Sequence, residues 1–224
     1  MPLKTLAYDN LSSRAYAAVR EALINGDFRP GERLVIQDLA EKLGTSVTPV
    51  REGCLRLVSE RGLEIRSGRF LVVPDMELSR YIEIRKMRLA LEGLATAEAA
   101  MRGGQKEIDA LRALHARFYK ANSKRDHRTA TRLNREFHFG VYRLSGMNML
   151  LAQIESLWVS MGPILRVYHE EGAEAYIAAD EHVKMLDAIE SGNAADAEAA
   201  LKRDIERGGQ GIMQYLESLA VKAV

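Results

Sequence analysis

Apolar residues at Leu11, Ala15, Val19, Leu23 and Ile24 recur at helical spacing, and Asn25-Gly26 closes the run. Past the turn Phe28-Arg29-Pro30-Gly31, the triplet Leu34-Val35-Ile36 reads as a short extended piece leading into an amphipathic helix that ends at Leu43. Gly44 supplies the stop that such a helix needs. Ser46 is a good N-cap for the next helix, and Pro49 falls in its first turn, where a missing N–H costs nothing. Val50, Leu55, Leu57 and Val58 then face inward. Gly62 breaks the chain, and residues 63–65 and 70–73 read as two strands around Ser67-Gly68-Arg69. Three helices followed by a hairpin predict a winged helix-turn-helix over residues 1–75, with Gly68 taking a positive φ at the tip of the wing.

Beyond Val73-Pro74-Asp75-Met76 no strand pattern remains. Helical periodicity marks residues 78–102 through Ile82, Met87, Leu91, Leu94 and Ala95, with Gly103-Gly104 as the stop. Further helices are expected over residues 105–125, 127–145, 148–170 with an interruption at Gly162-Pro163, 173–190, and from Ala194 toward the C-terminus. Gly208, Gly209 and Gly211 weaken the last by about 1 kcal/mol each relative to Ala. The prediction is a mainly α chain: the winged unit, then an antiparallel bundle of six helices over residues 76–224.

Charge sharpens this picture more than composition does. The 47% hydrophobic and 28% charged content of the 224 residues is that of an ordinary globular protein. The net charge of +1 excludes a protein that coats nucleic acid. Residues 42–69, however, hold six Lys/Arg against three Glu, while residues 76–224 hold 21 of each sign. Polyanion binding therefore belongs to the N-terminal unit. There Ser46, Thr48 and Arg51 project from the N-terminal end of the second helix of the motif, the end that enters a DNA major groove, and Arg51 can reach a guanine edge or a phosphate. The same geometry also occurs as a plain packing motif, and Arg69 reads equally as a solvated turn residue. Cys54 stands alone, so no internal disulfide forms, and its mid-helix place suits a small buried apolar residue. No run reaches the 18 or so apolar residues of a membrane span, and Met1-Pro2-Leu3-Lys4-Thr5 offers no signal-peptide core. A cytoplasmic protein with no membrane partner is expected.

Several spaced motifs carry a resemblance. Pro30-Gly31-Glu32-Arg33-Leu34, Leu39-Ala40-Glu41-Lys42-Leu43-Gly44, Thr48-Pro49-Val50-Arg51-Glu52 and Leu55-Arg56-Leu57 resemble the GntR family of bacterial transcription regulators. Arg88-Leu89-Ala90-Leu91-Glu92, Asn134-Arg135-Glu136-Phe137-His138, Ser145-Gly146-Met147-Asn148 and Glu181-His182 resemble the FCD effector domain of its FadR subfamily. The resemblance implies a homodimer that binds a palindromic operator on double-stranded DNA and senses a small organic acid. It places Arg51 as the recognition-helix arginine and Gly68 as the wing glycine. Val47 stands where Arg is common and Gln37 where some members have Arg. A valine cannot pair with guanine but can touch a thymine methyl, so a different operator is expected.

The resemblance also implies a divalent-metal site. Asn134 and His138 share one helix face at i and i+4. Many FCD domains carry Asp and His at these positions, with further histidines where this chain has His182 and Asp204. The set Asn134, His138, His182 and Asp204 keeps two imidazoles and one carboxylate, the open set suited to Zn²⁺ or Ni²⁺. Arg88 matches the arginine that meets the effector carboxylate; read from spacing alone, Arg88 and Glu92 are a surface ion pair at i and i+4. Trp158, Phe118, Phe137 and Phe139 read as core, and His115, His127 and His169 as surface or rim residues. Two other functions compete with a ligand-responsive regulator: a metal-dependent enzyme using the His/His/Asp set, and a ligand-free structural DNA-binding protein.

Overall fold

The computed structural model describes residues 11–170 and 179–222. Contacts divide the chain into two compact units, Met1–Asp75 with Val159–Arg166, and Met76–Trp158 with Val167–Val224.

The first unit runs α1 (Leu11–Ile24), β1 (Arg33–Leu34), α2 (Ile36–Leu43), α3 (Val47–Ser59), β2 (Glu64–Arg66) and β3 (Phe70–Val72). The strands form an antiparallel sheet in the order β1-β3-β2, with Leu34 opposite Leu71 and Arg66 opposite Phe70. The extended piece is shorter than the sequence suggests, because Val35 is already the N-cap of α2. Gly44 ends α2 in the left-handed region at φ 63°, with its N–H on Glu41 O and the Thr45 N–H on Ala40 O, a Schellman closure. Ser46 takes the extended N-cap backbone of α3 but makes no side-chain cap hydrogen bond.

Helical phase corrects one expectation. Val50, Cys54 and Leu57 are the fully buried positions of α3, at i, i+4 and i+7, whereas Leu55 lies 46% exposed. Gly53 shares the buried face, and a Cβ there would sit 2.7 Å from the backbone nitrogen of Tyr16. This glycine lets α1 lie against α3.

Six helices follow: α4 (Leu78–Arg102), α5 (Gln105–Ser123), α6 (His127–Leu144), α7 (Asn148–Glu170), α8 (Ala179–Glu190) and α9 (Ala194–Lys222), all in the second unit save the Val159–Arg166 stretch of α7, which groups with the first. The expected start of the fifth helix of this set, near residue 173, lies outside the described residues. Helix α4 packs on α6 and α9, α5 on α6 and α8, and α8 on α9. Phe137, Tyr142, Ile154, Met185, Leu186 and Leu201 are fully buried among them.

Three details depart from expectation. Met87 and Leu94 are exposed, because α4 turns Tyr81, Ile84, Glu92, Ala95, Thr96 and Ala99 inward instead. Pro163 lies inside α7 without ending it: Met161 and Ile164 beside it are buried, so packing outweighs the lost N–H. Helix α9 passes through its glycines, which make room for tyrosines. A Cβ on Gly211 would fall 1.9 Å from Tyr168 Oη, and one on Gly209 2.6 Å from Tyr81 Oη.

Candidate functional site

The first unit presents its DNA-facing candidates from α2, α3 and the β2–β3 hairpin. Gln37, Ser46, Thr48 and Arg51 are exposed, and Arg51 makes no hydrogen bond or ion pair among the described residues. Val47 is half-buried and packs against the core of this unit, so less of it faces out than of its neighbours. Gly68 has φ 64° with open space where a Cβ would lie, and Arg69 beside it is exposed. The local positive charge is partly committed elsewhere. Arg66 pairs with Glu64 at 2.5 Å and Asp75 at 2.6 Å, and Arg56 lies over the Tyr16 ring, 3.7 Å from Glu60. Cys54 is fully buried, and burial pushes its thiol up to about 11.

The second unit builds a buried polar centre from all six of its helices. His138 (α6), His182 (α8) and Asp204 (α9) bring ligand atoms within 4.8 Å of one another. The two Nε2 atoms are 3.3 Å apart, and Asp204 lies 3.2 Å from His138 Nε2 and 3.7 Å from His182 Nε2. Asn134, one turn before His138, has a buried Oδ1 with no hydrogen-bond partner, and so does Asp204 Oδ1. Asp204 Oδ1, an orphaned buried oxygen in the same cluster as two imidazole nitrogens, is a donor that a cation would satisfy, and the Asn134 oxygen on the helix of His138 is unpartnered too, so the residues present fit a divalent metal.

Charge supports the fit. Burial drives the His182 imidazole down to about 3, holding it neutral at ordinary pH despite the nearby Asp204. Burial alone would raise the Asp204 carboxyl, but the contact with His138 and the neighbouring His182 and Arg88 bring it below its ordinary value. A neutral imidazole and an ionised carboxylate are the forms that ligate. Next to the ligands, the fully buried Glu181 accepts from Lys184 at 3.0 Å, Arg203 at 2.9 Å and Arg207 at 2.8 Å. That clamp joins α8 to α9 one residue away from His182 and from Asp204, fixing the two across from each other.

Arg88 and Glu92 are no surface pair. Glu92 is fully buried and Arg88 only 12% exposed, and the guanidinium meets the carboxylate at 2.7 and 3.1 Å. Burial opposes the Arg88 charge, but Glu92 outweighs it and keeps the guanidinium charged. Glu92 also accepts from Trp158 Nε1 at 2.9 Å and from Tyr142 Oη at 2.5 Å, and Tyr142 Oη reaches His138 Nδ1 at 3.2 Å. On the other side, His182 Nδ1 meets His115 Nδ1 at 3.3 Å.

Trp158, Phe118, Phe137 and Phe139 are buried as expected, and Phe137 stacks on the His182 ring at 4.1 Å. His127 is exposed, and the side chain of His169 lies outside the described residues. The sequence reading missed Glu92, Tyr142 and His115 as parts of the centre. Tyr142 follows His138 by four residues, a spacing that places it on the same helix face and was a usable signal; His115 carries no local signal.

A winged helix-turn-helix unit and a helical unit with a buried His/His/carboxylate centre together describe a DNA-binding regulator with a ligand-sensing domain. The sequence pattern described as "Bacterial regulatory proteins, gntR family" matches residues 11–73, and that of the FCD domain matches residues 83–207. The chain belongs to the GntR family of transcription regulators, in the branch with an FCD domain; these are regulators, not enzymes. It is similar to the HTH-type transcriptional regulator McbR of Escherichia coli (strain K12), 36% identical over 152 residues that make up 68% of this chain and 69% of that protein. A solved structure, "E. coli McbR/YncC", superposes with a TM-score of 0.86 at 29% identity, covering 94% of this chain and 99% of that one. A putative GntR regulator from Rhodococcus sp. RHA1 shares the fold at 20% identity, with a TM-score of 0.73 over 91% of this chain and 97% of that one. Among the described residues no helix is long and apolar enough to cross a membrane.

Proposed function

We propose that this regulator binds a palindromic operator as a homodimer in the cytoplasm, and that a small carboxylate acting at a metal centre in the helical unit sets its affinity for DNA. Ser46, Thr48 and Arg51 enter the major groove, Gln37 and the outer edge of Val47 touch the flanking bases or backbone, and Gly68 and Arg69 approach the duplex from the wing. Arg51 is the base-reading residue, because it is exposed, uncommitted and near the N-terminal end of α3. The exposed stripe Met87, Leu94 and Met101 along α4 supports a second copy of the chain as partner. These residues repeat every seven positions on the face the unit leaves uncovered, and a two-fold dimer matches a two-fold operator.

The observation that carries the sensing half is the convergence of His138, His182 and Asp204, whose Oδ1 is buried with no hydrogen-bond partner. His138, His182 and Asp204 would hold Zn²⁺ or Ni²⁺, with the Asn134 oxygen as a weak fourth donor. Such an ion, once bound, supplies a Lewis-acidic positive charge to an incoming carboxylate. Arg88 adds a second: Glu92 accepts from two of its five N–H donors, leaving others for a ligand.

Fluorescence anisotropy on a labelled palindromic operator, with Zn²⁺ present and a panel of small mono- and dicarboxylic acids, tests this. At least one acid should change the apparent Kd about tenfold or more, with two chains bound per palindrome. An unchanged Kd across the panel, or one chain per duplex, would count against the proposal.

A further inference from the structure

Glu92 decides where a proton sits on His138, a residue it reaches only through Tyr142. A phenol has one proton. For Tyr142 the candidates are the Glu92 carboxylate at 2.5 Å and the His138 Nδ1 at 3.2 Å. The carboxylate is nearer and is the stronger acceptor, so the Tyr142 O–H donates to Glu92. Tyr142 Oη then faces His138 as an acceptor, and the His138 Nδ1–H donates to it. A neutral imidazole carries one N–H, so His138 Nε2 keeps its lone pair.

That lone pair points at His182 Nε2 and at Asp204 Oδ2, 3.3 and 3.2 Å away. A bare nitrogen against a carboxylate oxygen at this distance is unfavourable unless positive charge lies between them. One N–H from His182 could bridge a single contact, but Asp204 Oδ1 and Asn134 Oδ1 would still lack a donor. The opposite tautomer, with the proton on Nε2, would let His138 donate to Asp204 Oδ2 and would take both atoms away from a cation.

We infer that Glu92, acting through Tyr142, fixes the tautomer of His138 and thereby leaves its Nε2 unprotonated and open to a cation where His138, His182 and Asp204 meet. The inference rests on the metal reading above and names two positioning residues for it. Arg88 and Trp158 support the arrangement by saturating the rest of Glu92, which keeps the carboxylate in one orientation. The chain of contacts also links the guanidinium of Arg88 to a metal-ligating ring, so a ligand that draws Arg88 away from Glu92 acts on the metal affinity as well.

Long-range ¹⁵N NMR of the histidine rings, on full-length protein stripped of metal by chelation and held near pH 8, reads the tautomer directly. Wild-type protein should show His138 protonated on Nδ1 alone. Tyr142→Phe keeps the ring and its packing, and melting it alongside wild type verifies that it folds. In this variant His138 should move its proton to Nε2, and Zn²⁺ affinity, measured against a chromophoric chelator, should fall about 10–100-fold. A wild-type His138 protonated on Nε2, or on both nitrogens, would overturn the inference. So would a Tyr142→Phe variant with unchanged tautomer and unchanged Zn²⁺ affinity. Wild-type protein that holds Nδ1–H yet takes up no Zn²⁺, Ni²⁺ or Co²⁺ would sink the metal reading alone and leave the tautomer assignment standing.

Discussion

At the scale of single residues, what decides a role is which partners a side chain already has. Arg56 and Arg66 lie in the basic stretch, yet each faces a carboxylate of its own unit, while Arg51 is exposed and uncommitted. Arg51→Ala should therefore cost about 1–3 kcal/mol of operator binding and relax one operator position, with the helical unit unaltered. Anisotropy titrations at several salt concentrations separate base reading from phosphate contact, since only the latter shrinks the salt slope uniformly across sequences. Cys54 gives a second prediction. Its folded thiol titrates near 11, above its unfolded value, so the unfolded chain loses the proton first as pH rises. Its stabilisation is complete below about pH 8.5 and is lost as pH climbs from there toward 11. Denaturant midpoints at pH 8 and pH 10.5 should diverge more in wild type than in Cys54→Ala; an equal divergence would refute the assignment.

At the scale of elements, backbone proximity matters more than the apolar pattern. Gly53 is the clearest case: a Cβ would lie 2.7 Å from Tyr16 N and 3.1 Å from Ser12 O, both backbone atoms that cannot swing aside. Gly53→Ala, which in an open helix would gain about 1 kcal/mol, should instead destabilise the first unit by about 1–3 kcal/mol as α1 is pushed off α3. Urea unfolding followed in this unit measures it, and a stabilised variant would show that α1 lies further away. The helices, the hairpin and the stops at Gly44, Gly103 and Gly146 were legible in the sequence because each has a local cause in period, cap or turn. Helical phase was harder. The pattern turns Leu55 inward beside Cys54, yet only Cys54 is buried, and it makes Met87 and Leu94 core where Glu92 and Thr96 are. In both helices small or polar residues share the inner face with the apolar ones, because a tight helix approach or a polar centre needs them there, and hydrophobicity alone leaves those positions out.

At the scale of the whole chain, the family's two-part plan was readable from motifs, and so were His138, His182 and Asp204, which the packed helices bring together. The residues that orient them were not. Glu92 meets Tyr142 across 50 positions and Trp158 across 66, and His115 meets His182 across 67. Such pairs exist only once the helices have packed. The same holds for the Glu181 clamp, whose partners Arg203 and Arg207 lie on the next helix. The helical unit is thus organised around a buried polar centre that its own hydrogen bonds leave unsatisfied at two oxygens. The most direct test of that account is the metal content of the protein purified without chelator and dialysed against Zn²⁺, measured by plasma mass spectrometry beside His182→Ala. We predict about one equivalent per chain in wild type and almost none in the variant. No metal in wild type at any supplied concentration, or equal metal in both proteins, would contradict it.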